Sequence, residues 1–165
     1  MKIILYMAMT ANWYIARQNN ETPWSNEERE SFSEKVKEAK NLIIGRKTFE
    51  LMEKEEEFQK IWNPFVIVIS KEKKDNFNFV NSPEKALELL KEKGFTQGLI
   101  AGGGILNSLF LQKGLIDEIY LDIEPYIFGK GIKLFAENDF ETKLELLSTK
   151  QLSKNTIQLH YKIIN

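Results

Sequence analysis

Four short, mostly apolar runs predict strands that are covered on both faces. They occupy residues 3–9, 41–44, 65–69 and 98–101. A strand buried between two layers of helices shows such continuous hydrophobicity instead of strict alternation. Segments with apolar residues at helical spacing separate the runs, for example Phe32, Val36 and Ala39 after Ser25. Alternating strands and helices predict an α/β domain with a mainly parallel sheet.

The C-terminal part of the chain follows a different pattern. Residues 118–123 form a further apolar run, and residues 142–148 and 156–163 alternate apolar and polar side chains. Antiparallel strands with one wet face alternate in this way. His160 falls on the polar face of the last strand, so we expect it to face solvent. We predict a single three-layer α/β/α domain over residues 1–165, with a mainly parallel central sheet and an antiparallel C-terminal hairpin.

Residues 10–24 lack both a helical and a strand period and predict a long loop. A loop of this length in a compact domain is usually functional or mobile. This one carries Trp13, Tyr14 and Trp24, whose large side chains are costly to expose without a use. A flap over a pocket would use them.

Composition narrows the classes of function. The chain has 165 residues, and its 23 Lys and Arg nearly balance 24 Asp and Glu, which favours neither nucleic acid nor an anionic membrane. Cysteine is absent and His160 is the one histidine, so thiolate catalysis is excluded and no metal site is expected. The apolar run at residues 3–9 is too short to span a membrane. No signal-peptide cleavage pattern follows it, and we expect a cytoplasmic protein.

Two predicted turns from a strand into a helix have the chemistry of phosphate sites. Gly102, Gly103 and Gly104 present bare backbone amides at a helix start, where the dipole attracts an anion. A tight, closely packed turn explains this triplet equally well. Residues 45–48, Gly-Arg-Lys-Thr, place two cations on a first helical turn, which opposes the dipole by roughly 0.3–1 kcal/mol each unless an anion binds. Two such turns after parallel strands suit a dinucleotide.

A Rossmann-type dinucleotide fold is the less favoured alternative for the same residues. Asn107 stands where that fingerprint has its third glycine, whereas Asp122 lies about 20 residues further on, as a ribose ligand would. The motif comes late in the chain, with too little sequence after it for the remaining strand and helix units.

With these pieces in order, the chain resembles the dihydrofolate reductase superfamily over nearly its whole length. The resemblance rests on the first strand with its aromatic loop, Pro23-Trp24, the run Leu-Ile-Ile-Gly-Arg-Lys-Thr-Phe-Glu at residues 42–50, the strand ending at Ser70 and the glycine triplet. The second half is more similar to the reductase domain of the bifunctional riboflavin-biosynthesis deaminase/reductase. The matching residues are Gly-Leu-Ile-Asp-Glu at 114–118, Leu121, Ile123, Pro125, Gly129, Gly131 and Leu134-Phe135.

The resemblance implies a dihydrofolate-reductase-like fold and NADPH-dependent reduction of a small-molecule substrate. In that family the two turns hold the cofactor phosphates, and the residue after the third strand's serine favours the 2′-phosphate. The implied cofactor contacts are Ala8, Ile15, Gly45, Arg46, Lys47, Thr48, Ser70, Lys71, Gly102, Gly103, Gly104 and Ile105, with Ala8 and Ile15 flanking the nicotinamide. The resemblance also suggests a homodimer.

Two departures from the family pattern concern the substrate. Dihydrofolate reductases place an arginine before the third strand to bind the folate glutamate, and this chain offers only Lys60. They also carry a carboxylate on the first helix that assists protonation, which Glu28 matches approximately, with Glu27 as the fallback. Ser25 and Glu28 also fit a capping box, in which the carboxylate only closes the helix start.

We therefore expect a reductase with Glu28 as its catalytic residue. Its expected substrate is a ribosylaminopyrimidine of the riboflavin pathway, with dihydrofolate as the second hypothesis. A non-catalytic nucleotide-binding module is the alternative from another class. The expected substrate-binding residues are Trp13, Tyr14, Trp24 and Glu28.

Overall fold

The computed structural model describes residues 1–164 and is built on one eight-stranded sheet. The strands are β1 (Lys2–Thr10), β2 (Tyr14–Ala16), β3 (Asn41–Gly45), β4 (Phe65–Ile69), β5 (Asn78–Val80), β6 (Gln97–Ile100), β7 (Glu118–Glu124), β8 (Ile132–Lys133), β9 (Lys143–Gln151) and β10 (Ile157–Ile164). The order in the large sheet is β5-β4-β3-β6-β1-β7-β10-β9. Neighbours run parallel from β5 to β7, and β10 is antiparallel to β7 and to β9. The predicted sheet with its antiparallel hairpin is confirmed.

Helices cover both faces of the sheet, which confirms the three layers. They are α1 (Asn26–Ala39), α2 (Arg46–Lys54), α3 (Glu57–Lys60), α4 (Pro83–Glu92) and α5 (Gly104–Gln112). Successive side chains of β1 point to opposite faces. Ile4 shares one core with Val36 of α1, while Leu5 shares the other with Phe110 of α5. None of the helices in residues 1–164 is long and apolar enough to cross a membrane.

The carboxyl ends of β1, β3, β4 and β6 lie along one edge of the sheet, because these strands are parallel. Gly45 ends β3, Ser70 follows β4 and the glycine triplet follows β6. The backbone N–H of Gly45 donates to the carbonyl oxygen of Gly102 at 2.9 Å. The starts of α2 and α5 are therefore adjacent, and this edge gathers most of the predicted cofactor residues.

The prediction of an unstructured loop over residues 10–24 is wrong in one respect, because this segment contains β2. β2 pairs antiparallel with β8, a two-residue strand that is too short to show a pattern. The close approach needs a glycine, since a Cβ on Gly131 would lie 2.5 Å from the carbonyl oxygen of Ala16. The Asn12 side chain adds two hydrogen bonds to the backbone of Phe128. Its Nδ2 donates to the Phe128 carbonyl at 2.7 Å, and its Oδ1 accepts from the Phe128 N–H at 3.1 Å. Backbone pairing and Asn12 thus hold the segment to the β7–β8 connection.

The prediction of one wet face per hairpin strand is wrong for β9, where all nine residues are exposed. β9 is the edge strand of the sheet. The helices α1 and α5 pack instead on the central strands β3 and β6. The apolar positions of β9 therefore face solvent: Leu144, Leu146 and Leu147.

The prediction that His160 faces solvent is also wrong. Its ring stacks on Tyr120 with a centroid distance of 3.9 Å, and its Nε2 lies 2.9 Å from Oε2 of Glu118. β10 is an inner strand, so the His160 ring lies against side chains of β7, and only 16% of it is exposed.

Candidate active site

The two glycine turns form a single corner at the carboxyl edge of the sheet, which we call the dinucleotide corner (residues 45–48 and 102–104). Besides the bond between Gly45 and Gly102, a Cβ built on Gly103 would lie 3.7 Å from Oγ1 of Thr48. Gly102 has a φ of 89°, which residues with a side chain rarely adopt. The peptide between Gly102 and Gly103 is cis. Backbone amides and a hydroxyl thus line one small space.

The two helices that begin at this corner differ from the other long helices. α2 and α5 have no side-chain cap and no acidic residue in the first turn. By contrast, Ser25 caps α1 and Ser82 caps α4, and acidic residues follow in both first turns. Uncapped N–H groups carry the positive end of the helix dipole. The starts of α2 and α5 are therefore open to an anionic ligand.

Gly104 has a different role from the two glycines before it. A Cβ on Gly104 would clash with the carbonyl oxygen of Lys133, and the Gly104 carbonyl accepts from the N–H of Ala136 at 3.1 Å. One turn later, Asn107 donates from Nδ2 to the Leu134 carbonyl at 2.9 Å. Close packing of α5 against residues 133–136 requires Gly104, so the tight-turn explanation holds for this glycine.

One of the cations predicted beside the corner already pairs with a carboxylate of the protein. The Arg46 guanidinium forms an ion pair with Glu72, and the Ser70 hydroxyl accepts from the Glu72 N–H at 3.0 Å. Lys47 and Lys71 are exposed. Glu72 lies in a charged run without periodicity, so no sequence signal marks it. A phosphate that binds Arg46 has to compete with Glu72.

Glu28 is buried on the inward face of α1, with an exposed fraction of 5%. The Ser25 hydroxyl accepts from the Glu28 N–H at 3.2 Å, as in a capping box. The N–H and hydroxyl of Ser25, however, donate to Glu124 at 3.2 and 2.7 Å. Glu124 thus takes the place that a capping Glu28 would fill. Within residues 1–164 no hydrogen bond is formed by the Glu28 carboxyl, and capping does not account for it.

Glu28 shares its surroundings with two more buried carboxyl side chains, Asp122 and Glu124. Burial, followed by repulsion from both acids, raises the pKa of Glu28 to about 8. Burial also raises the pKa of Asp122 to about 6, against the opposing effect of hydrogen bonds from Tyr6 and Gln158. Near pH 7 Glu28 therefore holds a proton while Asp122 is ionised. No group of three His, Asp or Glu side chains in the described residues is arranged to hold a metal ion.

A hydrogen-bonded network that the sequence analysis missed holds Asp122 in place. Tyr6 donates its hydroxyl to Oδ2 of Asp122, Gln158 Nε2 donates to Oδ1 at 2.8 Å, and Ser31 Oγ lies 2.8 Å from the Tyr6 hydroxyl. The four residues come from β1, α1, β7 and β10, so only the fold brings them together. One local signal exists, because Asp122 and Glu124 place two acids on the same face of a mostly apolar strand.

Three of the predicted cofactor contacts, Ala8, Ile15 and Ile105, lie outside the dinucleotide corner. Ala8 points to the same face of the sheet as Tyr6 and pairs with Asp122 across the β1–β7 ladder. Ala8 and Ile15 are both buried, whereas Ile105 is 77% exposed at the start of α5. The two positions predicted to flank the nicotinamide are thus inside the fold, and Ala8 adjoins the carboxyl cluster.

The aromatic residues of the segment 10–24 separate into two groups. Trp24 stacks on Phe128 at a centroid distance of 6.3 Å and lies 6.4 Å from Tyr126, and Tyr14 lies 6.5 Å from Phe128. Trp13 is outside this cluster and is 67% exposed. The structure therefore brings Tyr14 and Trp24 together into an aromatic wall and leaves Trp13 in solvent.

Comparison with known proteins agrees with the fold. A family model described as the RibD C-terminal domain matches residues 1–158. The uncharacterized protein YwjB of Bacillus subtilis (strain 168) is 32% identical over 177 aligned positions that cover 97% of each chain. A Shewanella sp. PV-4 protein assigned to riboflavin biosynthesis has a TM-score of 0.82 at 23% identity over the full length of both chains. Dihydrofolate reductase from Enterococcus faecalis, complexed with NADP(H), has a TM-score of 0.76 at 20% identity, over 99% of this chain and 97% of that one. These matches confirm the predicted dihydrofolate-reductase-like fold.

Proposed function

Because this chain belongs to the RibD C-terminal domain family, we propose that residues 1–165 form a single reductase domain that uses NADPH to reduce a small heterocyclic substrate. The observation that carries the proposal is Glu28, a buried carboxyl that holds a proton and lacks a hydrogen-bond partner in the described residues. It lies on the face of the sheet that Ala8 shares. A reductase has to supply a proton close to the place where hydride arrives.

The chain's residues divide into three roles in this proposal. The dinucleotide corner, with Ser70 and Lys71, binds the cofactor phosphates, and Ala8 and Ile15 hold the nicotinamide between them. When bound, the cofactor supplies the hydride. Glu28 gives the substrate its proton and orients the edge of the heterocycle that it touches. The aromatic wall of Tyr14 and Trp24 excludes water from the reacting atoms.

We favour a ribosylaminopyrimidine of the riboflavin pathway, of the 5-amino-6-ribosylaminopyrimidine type, as the substrate. Family membership supports this choice. Dihydrofolate is the second candidate, and the buried carboxyl group of Glu28 on the first helix favours it. Against it, the ammonium of Lys60 is bound by Glu57 at 2.9 Å and by the carbonyl of Glu55 at 3.1 Å. Lys60 is thus poorly placed to serve as the missing arginine, whose planar fork a lysine does not reproduce.

The test of the function is an assay of NADPH oxidation with dihydrofolate and with the riboflavin-pathway intermediate, side by side. Binding is measured separately through quenching of tryptophan fluorescence and through the rise in melting temperature. We expect NADPH binding and oxidation with the pyrimidine. Failure of NADPH to bind would sink the reductase proposal. Tight binding without oxidation by either substrate would favour the non-catalytic nucleotide-binding module.

Arg46→Ala should weaken NADPH binding by about 10- to 100-fold, because a charge-assisted bond to phosphate contributes about 1.5–3 kcal/mol. Glu72→Gln should have the opposite effect and tighten binding several-fold, because it frees the Arg46 guanidinium. Fluorescence titration measures both dissociation constants. Glu88→Gln is the matched control, since Glu88 pairs with Lys85 at 2.8 Å on α4, away from the corner. Unchanged affinity in Glu72→Gln would show that Glu72 does not compete with the cofactor.

We also propose that the protein forms a homodimer, as the family resemblance suggests, and that the two copies meet at β9. β9 is an edge strand with exposed leucines, and an antiparallel edge can pair with a second copy about a two-fold axis. Leu146→Lys should convert the dimer to a monomer in light scattering without loss of folding, because Leu146 is 52% exposed in the single chain. Ile127→Lys, at an exposed apolar residue away from β9, should stay dimeric. A monomeric wild-type protein would contradict the proposal.

A further inference from the structure

The hydroxyl of Tyr6 is the centre of a buried hydrogen-bonded chain that has no role in the proposed reaction so far. Tyr6 has one proton, which it donates to Asp122, so the Ser31 hydroxyl at 2.8 Å is left to donate to Tyr6. The Gln158 amide lies 2.8 Å from Oδ1 of Asp122, 3.3 Å from the Tyr6 hydroxyl and 3.2 Å from Ser31 Oγ. The chain can therefore pass a proton from Ser31 through Tyr6 to Asp122.

A surface groove of about 630 Å³ between α1 and the hairpin of β9 and β10 reaches the outer end of this chain. Ser31 and Gln158 both line the groove, next to Tyr120 and Lys150. Glu28 is not among the lining residues, and its carboxyl lies close enough to Asp122 for the two charges to interact. Solvent in the groove is thus in contact with Ser31, and Asp122, which is 0% exposed, lies at the inner end of the chain.

We propose that Ser31, Tyr6 and Asp122 form a proton-entry path from this groove, and that Asp122 is the positioning residue that governs protonation of Glu28. The inference rests on the proposed function, in which Glu28 gives up one proton per turnover. A hydronium ion in the groove protonates Ser31, Ser31 passes its own proton to Tyr6, and Tyr6 passes its proton to Asp122. The net result is one proton moved from solvent to Asp122, with no change in redox state. A water molecule or a donor group of the substrate carries it from Asp122 to Glu28.

The charges around the two carboxyls favour this direction of transfer. The charged or titratable groups that face them are Glu124 on β7, Tyr6 on β1, Arg29 on α1 and Lys150 on β9. Burial, with repulsion from Asp122 and Glu124, raises the pKa of Glu28 to about 8, while burial raises that of Asp122 to about 6. Glu28 is therefore the stronger base. Loss of its proton leaves adjacent negative charges, and their repulsion drives uptake of the next proton.

The linkage is tested by NMR titration of the side-chain carboxyl carbons, without cofactor or substrate. We expect two steps in the wild type, an upper one for Glu28 and a lower one for Asp122. Asp122→Asn should lower the pKa of Glu28 toward its ordinary value, because it removes a neighbouring negative charge. Glu28→Gln should remove the upper step and leave the lower one in place, because Glu28 is already neutral when Asp122 titrates. An upper step that Asp122→Asn leaves unchanged would overturn the inference.

The entry path is tested by Tyr6→Phe and Ser31→Ala, with Ser33→Ala as the matched control. Ser33 lies on the same helix, and its Oγ accepts from Trp62 Nε1 at 3.0 Å, outside the network. With whichever substrate is active in the side-by-side assay, Tyr6→Phe should slow turnover about tenfold and increase the solvent deuterium isotope effect. Ser31→Ala should slow turnover in the same direction. NADPH affinity and the Ser33→Ala rate should not change. Wild-type turnover in Tyr6→Phe would overturn the path.

Failure of the inference and failure of the proposed function give different results. Linked titrations in a protein that does not bind NADPH would support the linkage between the carboxyls and remove the reductase function. Independent titrations in a protein that binds and oxidises NADPH would overturn the proton path and leave the reductase function intact.

Discussion

Glu28→Gln should lower the rate of NADPH oxidation by about 100-fold or more and leave NADPH affinity unchanged. A positioned general acid contributes typically about 10²–10⁴-fold to a rate, and an amide of the same shape cannot act as one. The activity of the wild type should fall as pH rises through about 8, where Glu28 loses its proton. Steady-state turnover across this pH range measures both effects.

Glu27→Gln is the matched control for this prediction. Glu27 is the neighbouring carboxylate on the same helix and is exposed, so its replacement should leave turnover unchanged. A large loss in Glu27→Gln with wild-type turnover in Glu28→Gln would transfer the proton-donor role to Glu27. Wild-type turnover in both variants would mean that the substrate takes its proton directly from water.

Glu28→Gln should also change how the stability of the fold depends on pH. The pKa of Glu28 is about 8 in the folded protein and 4.5 in an ordinary environment, so the folded state binds the extra proton between these values. Stability is therefore lost as pH rises through that window. Between about pH 5 and about pH 9 the wild type should lose on the order of 4 kcal/mol of unfolding free energy that Glu28→Gln does not lose. Urea unfolding at the two pH values measures the difference.

The sequence predicts the dinucleotide corner because its components are local. Each turn follows an apolar run and opens a helix, so the pattern of residues 41–48 and of residues 98–104 contains the strand, the turn and the helix start together. Parallel strands then place both turns on one edge without further information. The fold class and the meeting of Gly45 with Gly102 follow from this logic.

The carboxyl cluster is different, because its members are distant in the sequence. Tyr6, Asp122 and Gln158 come from three strands whose register decides which side chains meet, and a shift of one residue would turn each to the other face. The exposure of β9 likewise depends on where the helices stop covering the sheet. The alternation of apolar and polar residues within the strand does not predict that position. His160 is covered for the same reason, since its neighbour across the ladder is Tyr120.

Gly103→Ala and Gly104→Ala should separate cofactor binding from folding at adjacent positions. Gly104→Ala should lower the free energy of unfolding by about 2–4 kcal/mol, because its Cβ meets the Lys133 backbone carbonyl, which cannot move aside easily. Gly103→Ala should leave stability nearly unchanged, because φ is −79° and the nearest atom to its Cβ is Thr48 Oγ1 at 3.7 Å. Its methyl group would instead fill the space between the two turns and weaken NADPH binding by about tenfold or more.

Gly114→Ala at the other end of α5 is the control for a glycine that serves the helix alone. Its φ is 63° and nothing lies within 4 Å of its Cβ, so the variant should lose about 1 kcal/mol of stability and keep wild-type NADPH affinity. Urea unfolding and fluorescence titration measure the two quantities for each variant. If Gly103→Ala binds NADPH as tightly as the wild type, the cofactor phosphates do not enter the space between the turns. The uncapped starts of α2 and α5 would then need another ligand.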